Sequence, residues 1–244
     1  MENNNLFNED EKVVEFANVM KDAFEYTKYV CEHTKENIYN PFYYTQTVGD
    51  KLTRFVYERL CKGKQGMQFK PTLDDVEGKR IYRGIHKMSL SRYRKILKSK
   101  YSTIFRQGYL GAGMYVSESY NNAKIYADRR GGVLEAVISP DAKLITKNDL
   151  NEAIYEFKDK FFNSNTFKNL DENLKEWIMI NFPFEADDTF TSAMAGFLGY
   201  DGVKLRSNSE VIKAICLVNL DKVTFKDKGN GKVKKTKPNK EIQK

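Results

Sequence analysis

Cysteine is scarce in this chain. Cys31, Cys61 and Cys216 are odd in number, widely spaced, and none sits in a Cys-x-x-Cys pair, so neither a disulfide framework nor a structural zinc site is expected. Histidine is scarcer still, with only His33 and His86. Cys216 lies in the apolar run Ala214-Ile215-Cys216-Leu217-Val218, which reads as a packing cysteine rather than a nucleophile. No apolar run approaches the roughly 18 to 20 residues that span a bilayer, so no membrane partner is expected. The start, Met1-Glu2-Asn3-Asn4-Asn5, lacks the cationic and apolar stretches of a secretory signal. No Gly-x-x-x-x-Gly-Lys loop is present, and Gly111-Ala112-Gly113 lacks the third glycine of a dinucleotide fingerprint, which excludes those two routes to nucleotide binding.

Apolar and aromatic residues are plentiful. At 41% hydrophobic and 13% aromatic, 244 residues suffice for one ordinary domain with an appendage. The net charge of +8 is uneven, with nine lysines from Lys222 to Lys244 against Asp221, Asp227 and Glu241, and most of the excess is assigned to that tail. Its composition predicts disorder from residue 227 to 244. It reads either as a nucleic-acid contact or as a solvated solubility tail.

The periodicity of residues 9 to 62 predicts two amphipathic helices. Val13, Val14, Phe16, Ala17, Met20 and Phe24 mark the first, and Val48, Leu52, Phe55, Val56 and Leu60 the second, with a break at Asn40-Pro41 and an end at Gly63 and Gly66. Residues 1–75 are therefore read as a helical N-terminal segment that packs on the body of the chain or on a partner. Residues 76–226 follow as an α+β domain. It has strands at 79–85, 114–117, 132–138, 202–205, 211–218 and 223–225, and helices at 89–98, 121–128, 152–161, 172–180 and 191–198. The segment through Gly108 reads as a Gly-rich loop.

Three short motifs carry chemistry. Tyr82-Arg83-Gly84 places a guanidinium, whose planar fork suits phosphate oxygens, on a strand. Gly111-Ala112-Gly113-Met114-Tyr115-Val116-Ser117 combines glycines that permit close backbone approach with a strand presenting Tyr115 and Ser117 on one face. Asn208-Ser209-Glu210 precedes an apolar strand and offers a carboxylate.

In this order the motifs resemble the NAD-binding floor of the ADP-ribosyltransferase superfamily. Arg83-Gly84 resembles the residues that open the family fold. The resemblance implies that Arg83 holds the NAD phosphates or ribose and that the Gly84 backbone bonds the nicotinamide amide. The spacing of Tyr115 and Tyr126 resembles the poly-ADP-ribose polymerase branch, where two tyrosines sandwich nicotinamide. Ser117-Glu118-Ser119 resembles the Ser-Thr-Ser of the arginine-serine-glutamate branch, which implies that Ser117 orients the catalytic Glu210. Asn208 stands where that branch carries Glu or Gln, leaving the acceptor open.

The implied fold is a split β-sandwich with an N-terminal helical segment and inserted helices between about 150 and 198. The implied activity is mono-ADP-ribosyl transfer from NAD, with NAD as substrate, no metal, and a protein or nucleic acid as acceptor. Such a protein would act in its own cytoplasm, or as a toxin or phage effector in a target cell, where an inhibitor or antitoxin is a natural partner. An NAD glycohydrolase akin to RES-type toxins, or an inactive relative that binds nucleic acid through its basic tail, are the alternatives.

Overall fold

The computed structural model describes residues 9–34, 55–56, 58–60, 67–98, 106–108, 111–129, 131–181, 191–205 and 214–227. The expected break at Asn40-Pro41, Val48 and Leu52 of the second helix, and the tail beyond Asp227 lie outside them.

Helix α1 (Glu9–Thr34) buries Val13, Phe16, Ala17, Met20 and Phe24 as its spacing predicts, together with Ala23, whereas Val14 falls off this stripe and is exposed. Chain order then gives β1 (Gln68–Lys70), β2 (Lys79–Ile85), α2 (Leu90–Lys98), β3 (Arg106–Gly108) and β4 (Gly111–Ser117). Next come α3 (Tyr120–Ile125), β5 (Gly132–Ile138), β6 (Leu144–Thr146), α4 (Lys147–Asn163), α5 (Asn165–Lys168) and α6 (Glu172–Asn181). The chain continues through α7 (Thr191–Leu198), β7 (Gly202–Leu205), β8 (Ala214–Leu217), a 3-10 turn (Leu220–Lys222) and β9 (Val223–Lys226).

The strands form one mixed sheet in the order β1-β9-β5-β2-β4-β8-β7-β6, with β3 paired to β4 outside this path. Among the described residues only β1 with β9 and β6 with β7 run parallel. The fold is thus α+β, with few parallel neighbours and helices between strands.

Two large apolar clusters fill the interior, with a small third at Val30 and Cys31 of α1. One joins α1, α4, α6 and α7 to β6, β7 and β8; Phe16 sits at its centre, with ring centroids 5.1 Å from Phe157, 4.9 Å from Phe161 and 5.6 Å from Phe197. The other gathers Ile81, Met114, Leu134, Ile215 and Phe225 from five strands and is covered by Leu97 of α2. The N-terminal helix therefore packs on the body of its own chain, and β1, also before residue 76, is an edge strand of the main sheet.

Several elements depart from the sequence reading. Arg106–Gly108, within the expected glycine-rich loop, is a strand that pairs antiparallel with the start of β4, Gly108 opposite Gly111 and Arg106 opposite Gly113. Helix α4 starts at Lys147, five residues early, because the Thr146 side chain caps it by accepting from Asp149 N. Helix α7 ends as expected. Gly199 has φ +97, and Tyr200 N donates to Ala195 O at 2.8 Å, a left-handed cap. The turn that follows is pinned from inside. Buried Asp201 accepts from Lys143 N at 2.8 Å and from Asn219 Nδ2 at 2.6 Å, tying β6, β7 and the end of β8 together.

Candidate functional site at the β2/β4 seam

Strand pairing brings the first two motifs together. β2 pairs with β5 along its full length, yet it meets β4 at the single register pair Tyr82 and Ser117. One bridge cannot hold two strands in a continuous ladder, so the sheet has a seam here. Beyond the bridge Arg83 spans the seam, its Nη1 donating to the carbonyl of Tyr115 at 2.8 Å. A charge-assisted bond thus stands where a ladder bond would otherwise run. The Arg83 guanidinium carbon is 5.5 Å from the Tyr93 ring centroid on α2, and its Nε is buried with no hydrogen-bond partner.

Alternation assigns faces. Cross-strand partners share a face and side chains two apart in a strand do too, so Tyr82, Gly84, Tyr115 and Ser117 lie on one side, whereas Arg83 starts from the other. The seam is therefore approached by a cation from the α2 side and by a hydroxyl and rings from the α3 side.

Gly84 lies beneath α3. A Cβ there would stand 2.1 Å from Ala123 O and 2.9 Å from Ala127 N and from the carbonyl carbon of Tyr126. The glycine lets a helix backbone rest directly on β2, and that contact sets the Tyr126 backbone over Gly84. The Tyr126 ring is 62% exposed. The Tyr115 ring packs instead against the helical core and its side chain hydrogen-bonds the Cys216 thiol. The two rings thus occupy different environments, and a sandwich between them requires Tyr126 to swing inward.

Gly113 serves a similar purpose to Gly84. A Cβ would meet Cys216 Sγ at 2.6 Å and Leu217 O at 2.8 Å, so β8 and its sulfur fill the space that the sequence reading reserves for a ligand. Burial pushes the Cys216 thiol up to about 12, against the opposing pull of the Tyr115 hydrogen bond and the Arg83 charge. Cys216 is thus a protonated packing residue at neutral pH.

Ser117 is buried at the end of β4, and its Oγ accepts from Ser119 N at 3.1 Å. Ser119 in turn caps α3, accepting from Asn122 N. The Ser-Glu-Ser motif is therefore the joint between β4 and α3, with Glu118 ion-paired to Lys79 at 2.6 Å. The register partner of Ser117 on β8 is Ala214. Glu210 lies four residues before it, outside the described residues.

One carboxylate escaped the sequence reading. Glu135 of β5 is the register partner of Tyr82, which itself faces Ser117, so Ser117, Tyr82 and Glu135 form a row on one face. Two strand spacings, about 10 Å, separate its ends. Burial disfavours the charged form of Glu135, but hydrogen bonds from Lys226 Nζ at 3.0 Å and from Arg80 outweigh it and hold the carboxyl below the ordinary glutamate value. A single acidic residue in an otherwise apolar strand, Gly132-Val133-Leu134-Glu135-Ala136-Val137-Ile138, was the available signal. His86, just beyond β2, has its Nδ1 3.3 Å from Asp128 Oδ2.

Among the described residues no group of His, Cys, Asp and Glu is arranged to hold a metal, and no helix is long and apolar enough to cross a membrane. Neither protein-family models, nor curated proteins, nor solved structures give a match to this chain.

Proposed function

We propose that this protein is a mono-ADP-ribosyltransferase that binds NAD at the β2/β4 seam, within a split β-sandwich whose split is that seam. The observation that supports it most is the meeting of Arg83, Gly84, Tyr115, Ser117 and the Tyr126 backbone at one point. Arg83 and Tyr115, the two ends of that link, are 32 residues apart in the chain.

Transfer requires heterolysis of the bond between the ribose anomeric carbon and the nicotinamide nitrogen. The electron pair leaves with nicotinamide, the sugar becomes an oxocarbenium-like cation, and the acceptor's lone pair closes on it as the acceptor loses a proton. Arg83 keeps guanidinium N–H groups beyond the one on Tyr115 O, which suits the NAD diphosphate. The Ser117 Oγ accepts from Ser119 N, so its own O–H is left to donate to ribose or to a carboxylate. Tyr126, exposed beside Gly84, supplies a ring to cover nicotinamide. Glu210 is assigned the carboxylate that steadies the cation and takes the acceptor proton.

One observation favours a second reading, a protein of this architecture that binds without catalysis: the Tyr115 side chain and Ser117 Oγ already have partners inside the fold. NAD labelled in its ADP-ribose half, incubated with the protein and cell lysate, separates the readings. Label retained on macromolecules, and lost with Glu210→Gln, supports the transferase. Nicotinamide release without retained label identifies a glycohydrolase, and neither product from folded protein overturns the enzymatic reading.

A further inference from the structure

Helix α3 is lightly held. Ala123 is its one buried residue, while Tyr120, Ile125 and the adjoining Tyr126 stand exposed, so apolar packing does little to fix it. Its start is tied through the Ser119 cap to Ser117, and its middle rests backbone on backbone over Gly84. Its far end, next to Tyr126, is fixed by a carboxylate.

That carboxylate belongs to half-buried Asp128. Its Oδ2 accepts from Lys87 N at 2.6 Å, and its Oδ1 accepts from Gly131 N at 2.7 Å. The Asp128 N–H donates to Ile85 O at 3.4 Å, and His86 Nδ1 lies 3.3 Å from Oδ2. Asp128 thereby ties the segment after α3 to the end of β2. Lys87 enters this clasp under strain: at +60 its φ is the one positive value of a non-glycine residue among the described residues, a region that side chains disfavour. The strained turn offers its amide to an ionised acceptor, which makes a stronger bond than a neutral one. The same turn leads into α2, whose Tyr93 ring lies 5.5 Å from the Arg83 guanidinium carbon. One side chain therefore couples the exit of α3 to the entry of α2, the helices on the two sides of the seam.

We infer that Asp128 is a positioning residue for NAD: its clasp on the Lys87 amide holds the end of α3 against β2, so that the Tyr126 ring closes over nicotinamide by side-chain rotation alone. The inference rests on the reading of the seam as the NAD site. Without the clasp, closing the ring must also order the backbone that carries it, and that entropy opposes binding. The reacting atoms are assigned to Ser117 and Glu210, on other elements, so the loss falls on KM and not on kcat.

The test compares the 244-residue chain with Asp128→Asn, Tyr126→Ala and the double variant. Asparagine keeps the size and one carbonyl acceptor, and the Tyr126 ring is exposed, so both variants fold, as unchanged circular dichroism verifies. Without NAD, amide exchange over residues 120–127 should quicken in Asp128→Asn. By nicotinamide release in the presence of cell lysate, Asp128→Asn should raise the KM for NAD about three- to tenfold, the contribution of one ring on a flat heterocycle, with kcat unchanged. Tyr126→Ala should raise KM by a similar factor, and the double variant no further than Tyr126→Ala alone, because both changes remove one contact. Unchanged α3 exchange in Asp128→Asn overturns the inference, as do additive effects on KM, an unchanged KM in Tyr126→Ala, or a fall in kcat in place of the rise in KM. Failure of the parent reading is seen in the wild type alone: no nicotinamide release there overturns the NAD site and this role of Asp128 together, whatever the exchange of α3.

Discussion

Replacing Gly84 with alanine tests how the seam is built. The added Cβ would lie 2.1 Å from Ala123 O, where ordinary contact begins at 3.4 Å, so α3 must retreat by about 1.3 Å. The obstructing atoms, Ala123 O, Ala127 N and the Tyr126 carbonyl carbon, are all backbone, and no side-chain rotation relieves them. Overpacking of this kind costs about 1–3 kcal/mol. The retreat also carries Tyr126 away from β2 and strains the Ser119 cap that joins α3 to Ser117. Urea denaturation of Gly84→Ala should show a lower midpoint at unchanged slope, and nicotinamide release should fall further than the stability loss explains. Stability within about 0.5 kcal/mol of the wild type, the range of neutral surface changes, would refute the reasoning.

Other expectations follow from the same geometry. Asp201→Ala strands the Lys143 amide and the Asn219 side-chain amide inside the fold and should cost about 2–4 kcal/mol by denaturant titration, with Asp201→Asn costing less. Glu135 has its carboxyl held below the ordinary 4.5, so its contribution is present above that pH and is lost as pH falls through the lowered value. Glu135→Gln should therefore flatten the loss of stability measured by thermal melts in that acid range. Cys216, with its thiol near 12 and fully buried, should resist a thiol reagent at pH 8 in the native protein and react on unfolding, as peptide mass mapping would show.

The long strands were legible because their patterns are strong. Lys79–Ile85, Gly132–Ile138 and Gly202–Leu205 appear at the expected bounds, as does the α7 helix with its Gly199 cap. Three-residue strands such as Gln68–Lys70 and Leu144–Thr146 are too short to show alternation, and their existence depends on β9 and β7, distant in sequence. The early start of α4 was written in Thr146 and Asp149 but masked by the weaker apolar spacing of its first turn. At the site, glycine was legible as a mark of close approach but not of what approaches: at 84 a helix backbone, at 113 a cysteine sulfur. The Arg83 link to Tyr115 O was beyond sequence reasoning because it depends on how two strands diverge.

The central claim is that NAD occupies the β2/β4 seam, and amide hydrogen exchange of the 244-residue chain with and without NAD tests it directly. The account predicts slowed exchange confined to the peptides covering residues 82–85, 115–119 and 120–127, with the effect abolished by Arg83→Gln. Protection elsewhere, at α2 for example, or no protection at saturating NAD, would contradict it.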